Sequence, residues 1–185
     1  FVDKVDPQSG TSLEIGSSGD TITIPSGATI VNSGTQTGFG GVNTPAFGAY
    51  SSGNIAISNA TETTIVFDSE YYDSASAYNV SDGKFTPQTA GKYFVSYSFT
   101  IDSGQSSNMQ YSYSYIEKNT TNLLYAKCDF RSNPGRGAIM SGSALVDMNG
   151  SSDFIQIRLY VYADITGSGF LVEQRGTFSG FKIIE

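Results

Sequence analysis

The chain closes on Gly176-Thr-Phe-Ser-Gly-Phe-Lys-Ile-Ile-Glu185, in which apolar residues flank one serine and one glycine. An apolar strand at this place predicts that the last residues lie inside a sheet, so that the fold closes on its own C-terminal strand. Gly180 within that strand suits a position where another part of the backbone approaches closely. The ending therefore favours a β fold whose last strand is structural.

Upstream of this ending, apolar and polar residues alternate as they do in half-buried strands. The clearest strand is predicted at 92–101, and the next at 110–118, where tyrosines alternate with serines. No stretch of ten or more residues has an apolar period of 3.6, so the sequence predicts essentially no helix. Eight or more short strands separated by turn signals indicate an antiparallel sandwich or barrel. The other predicted strands are 46–50, 64–68, 122–130, 138–148 and 154–162.

A series of short motifs runs in order through residues 45–185. They are Pro45-Ala-Phe-Gly-Ala-Tyr50, Ile65-Val-Phe-Asp68, Ala77-Tyr-Asn-Val80, Gly83-Lys-Phe-Thr-Pro87, Ala90-Gly-Lys-Tyr-Phe94 and Thr177-Phe-Ser-Gly-Phe181. Together they resemble the globular-head domain of the complement q subunit, a jelly roll related to the tumour-necrosis-factor fold. The resemblance implies a sandwich of about ten antiparallel strands that forms a tight homotrimer and works by binding rather than by catalysis.

Residues 1–44 differ from the rest in composition. They are rich in Gly, Ser and Thr, and their apolar patches at 21–25 and 28–31 are too short to bury a core. We expect a tether, or a small β-element that is stable only against other chains, followed by the head at 45–185. The stretch Thr21–Gly40 is similar to a linker-like segment in structural proteins of tailed phages. The lack of a collagen repeat and of a cysteine pair also favours a phage protein over a complement-like one.

The composition excludes several classes of partner. The net charge is −7, which argues against nucleic acid and against anionic lipid, because both require clustered Lys and Arg. No run approaches the roughly 18 apolar residues of a membrane span, so we expect no membrane insertion. Charged residues make up 15% of the chain, and 12 Tyr and 12 Phe accompany many Ser and Thr. Such a surface makes its polar contacts chiefly through neutral hydrogen bonds.

Catalytic chemistry finds little support in the sequence. There is no histidine, which excludes Ser-His-Asp and Cys-His catalysis and the usual zinc sites. Cys128 is the only cysteine and is interpreted as a buried structural thiol. Asp68, Glu70 and Asp73 raise the alternatives of glycoside hydrolysis and of a calcium site, against the simpler interpretation of a solvated turn beside a strand. We expect no enzymatic activity and no cofactor, with calcium as the weaker alternative.

These observations predict a non-enzymatic trimeric head of a phage tail fibre or other virion appendage, displayed on the particle surface. Residues 1–44 would contact other virion proteins, and the head would bind a host cell-surface glycan or protein. Two alternatives remain open. One is a capsid-decorating or fibre-capping trimer with a purely structural role, and the other is a small glycan depolymerase.

The candidate binding residues follow from the expected order of strands. Consecutive strands of an antiparallel jelly roll run in opposite directions, so the connections at about 102–108, 130–137 and 163–175 should share the end opposite the C-terminus. The family resemblance places the N-terminus near the C-terminus, so these loops should face outward. The receptor-binding candidates are Gln105, Asn108, Asp129, Arg131, Asn133, Arg136, Asp164, Glu173 and Arg175. A tyrosine stripe is interpreted either as a core face or as the trimer interface; it consists of Tyr111, Tyr113 and Tyr115.

Overall fold

The computed structural model describes residues 10–31, 33–34, 43–104, 109–163 and 169–183. The chain divides into two units, Phe1–Gly40 and Gly41–Glu185. The described residues of the first unit form no regular strand or helix and are exposed to solvent. All the strands described below belong to the second unit.

The second unit is built from strands. Where the structure describes the chain, no helix is long and apolar enough to cross a membrane. The strands are β1 Ala46–Tyr50, β2 Ile55–Ser58, β3 Thr63–Ile65, β4 Ser69–Asp73, β5 Tyr78–Asn79, β6 Lys84–Phe85, β7 Gly91–Asp102, β8 Met109–Lys118, β9 Thr121–Asp129, β10 Gly137–Met148, β11 Ile155–Ala163, β12 Gly169–Val172 and β13 Thr177–Lys182.

The strands form two antiparallel sheets. Sheet A has the order β2-β12-β7-β13-β1-β4, and β10 pairs with β7 along its whole length. Sheet B has the order β5-β6-β11-β8-β9, with β3 also paired to β11. The all-β prediction is therefore confirmed. The described residues form thirteen strands rather than about ten, because the additional ones have only two to five residues and are too short to show an alternation.

The core lies between the two sheets and is rich in aromatic side chains. Phe47 stacks on Phe85 with ring centroids 4.3 Å apart and meets the edge of Phe178 at 4.8 Å. Ile157 and Leu159 of β11 complete the packing from the other sheet and are fully buried. Full burial of a side chain of this size stabilises the fold by about 1.5–3 kcal/mol. This cluster holds the two sheets together.

The C-terminal strand lies between two strands of sheet A, as the sequence predicts. β13 pairs with β1 on one side, where Gly180 is opposite Phe47, and with β7 on the other, where Gly180 is opposite Val95. A Cβ atom at Gly180 would lie 2.8 Å from Val95 Cγ1 and 3.0 Å from both Phe47 Cε1 and the carbonyl oxygen of Phe94. The glycine is therefore required by close packing on both sides.

The two ends of the sandwich differ in which connections they carry. The chain enters the head beside its C-terminal strand, since Ala46 pairs with Phe181 and the Lys182 amide donates to the Pro45 carbonyl at 3.0 Å. At the far end of β7, the Ser103 amide donates to the Arg136 carbonyl at 2.9 Å, and the Glu173 amide donates to the Thr100 carbonyl at 2.9 Å. The described parts of the connections 102–108, 130–137 and 163–175 therefore meet at one end, opposite the C-terminal strand.

Replacing Gly180 with alanine tests the close packing of the C-terminal strand. The added methyl group overpacks the core, so we expect Gly180→Ala to reduce the free energy of unfolding by about 1–3 kcal/mol in denaturant titrations. Gly53→Ala is the matched control, because no heavy atom lies within 4 Å of the added Cβ. We expect that control to stay within about 0.5 kcal/mol of the wild type. Equal unfolding midpoints for Gly180→Ala and Gly53→Ala would show that Gly180 is not closely packed.

Candidate functional site

The tyrosine stripe of β8 faces away from the core. Ser112 and Ser114 are fully buried and point between the sheets, whereas Tyr111 and Tyr113 are partly exposed on the opposite face of the strand. The inward position suits serine because the Ser114 hydroxyl hydrogen-bonds the hydroxyl of Tyr97, a core residue, at 2.7 Å. The interpretation of the stripe as a core face is therefore wrong for Tyr111 and Tyr113, whereas Tyr115 is buried, at 2% exposed. The assignment of the stripe to the trimer interface remains a prediction.

The stripe belongs to a larger cluster, which we call the tyrosine surface. Tyr113 lies opposite Tyr160 of β11, and Tyr115 lies opposite Tyr125 of β9. The Tyr113 and Tyr160 rings are parallel within 3°, with centroids 4.8 Å apart, and the other pairs lie at 5.1–6.1 Å. Cross-strand aromatic pairs of this kind stabilise a sheet. The tyrosine surface consists of Tyr111, Tyr113, Tyr115, Tyr125, Tyr160 and Tyr162.

Stacking determines which atoms the tyrosine surface offers. Since the ring faces contact one another, ring edges and hydroxyl groups are left for a ligand. Desolvation by burial raises the pKa of Tyr160 to about 12, with a further contribution from its hydrogen bond to Tyr111. Desolvation likewise raises the pKa of Tyr113 and Tyr115 above the usual range. These hydroxyls therefore stay neutral at physiological pH, where each can donate and accept a hydrogen bond.

A charged cluster borders one side of the tyrosine surface. Arg158 lies between two carboxylates, with Nη2 3.4 Å from Glu62 Oε2 and Nη1 3.8 Å from Glu117 Oε1. The Tyr113 hydroxyl donates to Glu62 Oε1 at 3.5 Å, and the Gln156 amide donates to Glu117. The buried Nε of Arg158 has no hydrogen-bond partner. This cluster combines one guanidinium with two carboxylates, so its formal charge is −1.

A second charged group lies beside Tyr111. Lys127 Nζ and the guanidinium carbon of Arg131 are each 6.0 Å from the centre of the Tyr111 ring. Asp129 joins them, with Oδ2 2.5 Å from Arg131 Nη2 and 3.5 Å from Lys127 Nζ. Its hydrogen bonds to Arg131 lower the pKa of the Asp129 carboxyl well below the usual range. Cations and anions around the tyrosine surface therefore balance at three each.

The described receptor-binding candidates divide among three places at the far end. Asp129 and Arg131 adjoin the tyrosine surface. Asn133 closes the following turn, where its backbone amide donates to the Phe130 carbonyl at 2.9 Å. Arg136 instead faces the end of β7, where its Nη2 donates to the Gly104 carbonyl at 3.0 Å.

Glu173 and Arg175 lie beside Ser51, whose hydroxyl donates to the Glu173 carbonyl at 3.3 Å and whose carbonyl accepts from the Arg175 amide at 2.9 Å. Gln105, Asn108 and Asp164 lie outside the described residues. The sequence predicts Asp129 and Arg131, which border the tyrosine surface, as receptor-binding residues. It assigns the tyrosines of β8 to a different role, in the core or the trimer interface. The signal that could have joined them is the strand register, which places Tyr111 opposite Asp129.

The acidic triplet has local structural roles. Asp68 accepts hydrogen bonds from the Ser52 hydroxyl at 2.6 Å and amide at 2.7 Å, and these bonds lower the pKa of Asp68. Asp73 accepts from the Tyr78 amide at 2.8 Å. The solvated-turn interpretation is wrong for Glu70 and Asp73, which lie in strand β4 (Ser69–Asp73), whereas Asp68 is exposed and directly precedes that strand. Within the described ranges, no three acidic or cysteine side chains are grouped so that they could hold a metal ion.

Cys128 is half-buried and packs against the core. Its thiol lies 3.9 Å from the Met140 sulfur and donates to it. The predicted structural role fits these contacts, although the side chain is less buried than expected.

The outer face of sheet A presents a surface of a different kind, which we call the serine face. Cross-strand rows join Ser143, Ser96 and Ser179, then Ser141, Ser98 and Thr177. No charged residue occurs in the parts of β7, β10 and β13 that form these rows. Large apolar side chains border them and are exposed: Ile139 at 71%, Leu145 at 69% and Phe181 at 36%. Sequence reasoning missed this face, because alternating serines also suit a strand face in contact with water.

Comparisons with known proteins agree on the fold. The family model described as "C1q: C1q domain" matches residues 46–183. The structure of the globular domain of zebrafish complement 1qA protein has a TM-score of 0.54, with 16% identity over 77% of this chain and 99% of that chain. The structure of Eiger TNF from S. frugiperda has a TM-score of 0.52, with 13% identity over 76% of this chain and 92% of that chain. None of the curated protein sequences matches. The jelly-roll prediction is thus confirmed.

The raised pKa of Tyr160 has a consequence for stability at high pH. A phenol whose pKa is higher in the folded state stabilises the fold fully below the unfolded pKa of about 10. That contribution is lost as the pH rises through the folded pKa of about 12. We therefore expect the wild type to lose more free energy of unfolding between pH 10 and pH 12 than Tyr160→Phe. Urea titrations at each pH measure this loss. If the free energy of unfolding fell equally with pH in the two proteins, the raised pKa of Tyr160 would be contradicted.

Proposed function

This chain belongs to the C1q domain family, and we propose that it is the non-enzymatic, trimeric binding head of a virion appendage such as a phage tail fibre. Domains of this family are typically trimeric binding modules without enzymatic activity. The observation that carries the proposal for this chain is the contrast between its two outer faces. The serine face suits contact with further copies, and the tyrosine surface suits contact with a ligand.

The assembly step rests on the serine face. Isolated exposed apolar residues are common on proteins, but here Ile139, Leu145 and Phe181 border rows of small uncharged side chains. Small side chains allow another surface to approach closely, and charged residues are depleted at the centres of protein interfaces. Leu145 also lies opposite Phe94, whose ring is 5.6 Å from that of Phe181, so the apolar border is continuous. The number of copies, three, comes from the family.

Charge substitutions test this interface. We expect Leu145→Asp to convert the trimer to a monomer in sedimentation, because a charge would be buried without a partner. Val80→Asp is the matched control, since Val80 is 39% exposed and lies outside the serine face. The wild type and the control should sediment as trimers in both low salt and molar salt, because apolar contacts are not screened. A trimeric Leu145→Asp protein, or a monomeric wild type, would contradict the proposed interface.

The binding step rests on the tyrosine surface. Tyrosine offers a large amphipathic contact area and has few rotatable bonds, so little conformational entropy is lost on binding. Mutual stacking already holds the rings in place, which reduces that loss further. Sheet B is the face left uncovered when the serine face is occupied by other copies. Neutral hydroxyl groups with balanced charges around them suit a host cell-surface glycan or protein rich in hydroxyl and amide groups.

The virion context is supported by the sequence. The stretch Thr21–Gly40 is similar to linker-like segments of phage structural proteins, and residues 1–44 would connect the head to other virion proteins. The connections around Arg131 and Arg136 lie opposite the point where the chain enters the head. The tyrosine surface favours a binding head over a fibre-capping or capsid-decorating trimer. The depolymerase alternative has less support, because Asp68 and Asp73 are engaged by backbone amides.

Substitutions at the tyrosine surface and at Arg136 test which part of the head binds the ligand. We expect Tyr125→Ala and Arg131→Ala each to weaken attachment of the labelled trimer to host cells by about 5- to 30-fold. Arg136→Ala serves as the matched control, because Arg136 faces the end of β7 rather than the tyrosine surface. It should bind as the wild type does.

Sedimentation of each variant checks that the trimer is intact. Unchanged attachment by Tyr125→Ala and Arg131→Ala, alongside a loss for Arg136→Ala, would move the binding site away from the tyrosine surface. A loss of attachment only from changes in the turns at 119–122 or 149–153 would show that the head is oriented in the opposite direction.

A further inference from the structure

In the unit that precedes the head, the described residues include many apolar side chains and bury none of them. Every described residue between positions 10 and 34 is exposed. Large apolar side chains in water are unfavourable, and single exposed ones are common, but this segment has a regular series of them. They are Leu13 at 45% exposed, Ile15 at 64%, Ile22 at 58%, Ile24 at 48%, Ile30 at 57% and Val31 at 83%.

Two similar turns divide the stretch that carries these apolar residues. Two β-turns occur eight residues apart, one closed by the Asp20 amide donating to the Ser17 carbonyl at 2.9 Å, the other by the Ala28 amide donating to the Pro25 carbonyl at 3.1 Å. Gly19 and Gly27 occupy the third position of these turns with φ of 95° and 85°, as type II turns require. The similarity is therefore present in the backbone as well as in the sequence.

Each turn follows a pair of apolar residues at alternate positions. Leu13 and Ile15 precede the first turn, and Ile22 and Ile24 precede the second. In an extended chain, residues two apart point to the same side, so each pair forms one apolar patch with polar residues between. Ile30 and Val31 follow the second turn and precede Ser33 and Gly34. As extended strands, the stretches before the two glycine turns, which we call arms, would each present one apolar side, whereas Ile30 and Val31, at adjacent positions, would place an apolar side chain on both sides of the last stretch.

We propose that residues 12–31 intertwine with the same segment of two further copies to form a β-structured stalk. A segment of this kind cannot bury its apolar side chains alone, and about three stacked units are needed for stability. One chain supplies too few arms to enclose a core. Identical segments supply matching arms with the same period and cover every apolar patch equally. The number of copies rests on the trimer proposed above.

The charge of the segment fits association with its own copies. Between residues 12 and 34, only Glu14 and Asp20 carry charge. The Asp20 carboxylate is engaged within its own turn, where it accepts a hydrogen bond from the Ser17 amide at 2.7 Å. Like-charge repulsion between copies is therefore limited to a few exposed carboxylates, which water and salt screen.

Hydrogen exchange of the full-length protein tests the stalk. In the trimer, amides of residues 21–31 should exchange at least about 100-fold more slowly than in an unstructured peptide, because backbone hydrogen bonds between copies protect them. Ile24→Asp places a charge on the apolar side and should remove this protection. Thr23→Asp is the matched control, since it adds the same charge at the neighbouring position, on the other side of the arm, and should retain the protection.

Sedimentation of the same samples distinguishes the stalk from the trimer itself. A wild-type trimer with unprotected amides would overturn the stalk and leave the proposed function intact. A folded wild-type monomer would overturn the trimeric function together with the stalk. Protection that persists in Ile24→Asp or in a diluted monomer would show that the segment is covered by its own chain, which also overturns the stalk. Equal loss of protection in both variants would contradict the assigned apolar side.

Discussion

The insertion of β13 between β1 and β7 is the constraint on which the rest of the structure depends. Gly180 allows this insertion, because any side chain there would meet Val95 and Phe47 within about 3 Å. With β13 in place, sheet A is continuous from β10 to β4, and its inner face covers the aromatic core while its outer face carries the serine rows. Without it, neither the core nor the serine face would be complete.

How much the sequence could predict depended on strand length. Long runs of alternating apolar and polar residues predicted β7, β8, β10 and β11 nearly to their ends. The closing strand was predicted from its apolar residues. β2, β4 and β12 were missed, because four or five residues seldom establish a period, although β1, which also has five residues, was predicted. In β8 the alternation located the two faces but did not show which was buried. Tyrosine is the larger residue, yet serine points inward, since Tyr97 and Met140 from the opposite sheet already fill that space.

The candidate site was less accessible to sequence reasoning than the fold. Tyr111, Tyr113 and Tyr115 stand out along the chain, but the tyrosine surface also needs Tyr125 and Tyr160, which come from neighbouring strands. Their contact depends on register, which is set by the packing of the whole sheet rather than by any local motif. The serine face was hidden for a similar reason, because its rows cross three strands that are distant in sequence.

The entry of the chain beside its C-terminal strand has a mechanical consequence. β1 is held by five residue pairs to β13 and by further pairs to β4, and β13 is paired in turn to β7, which extends to the far connections. Tension between residue 45 and the far connections would therefore pull along the strands, across hydrogen bonds that lie perpendicular to them. In this shear geometry the bonds share the load and break together rather than opening one after another. The head is thus built to resist force applied between the point where the chain enters it and the connections at its far end.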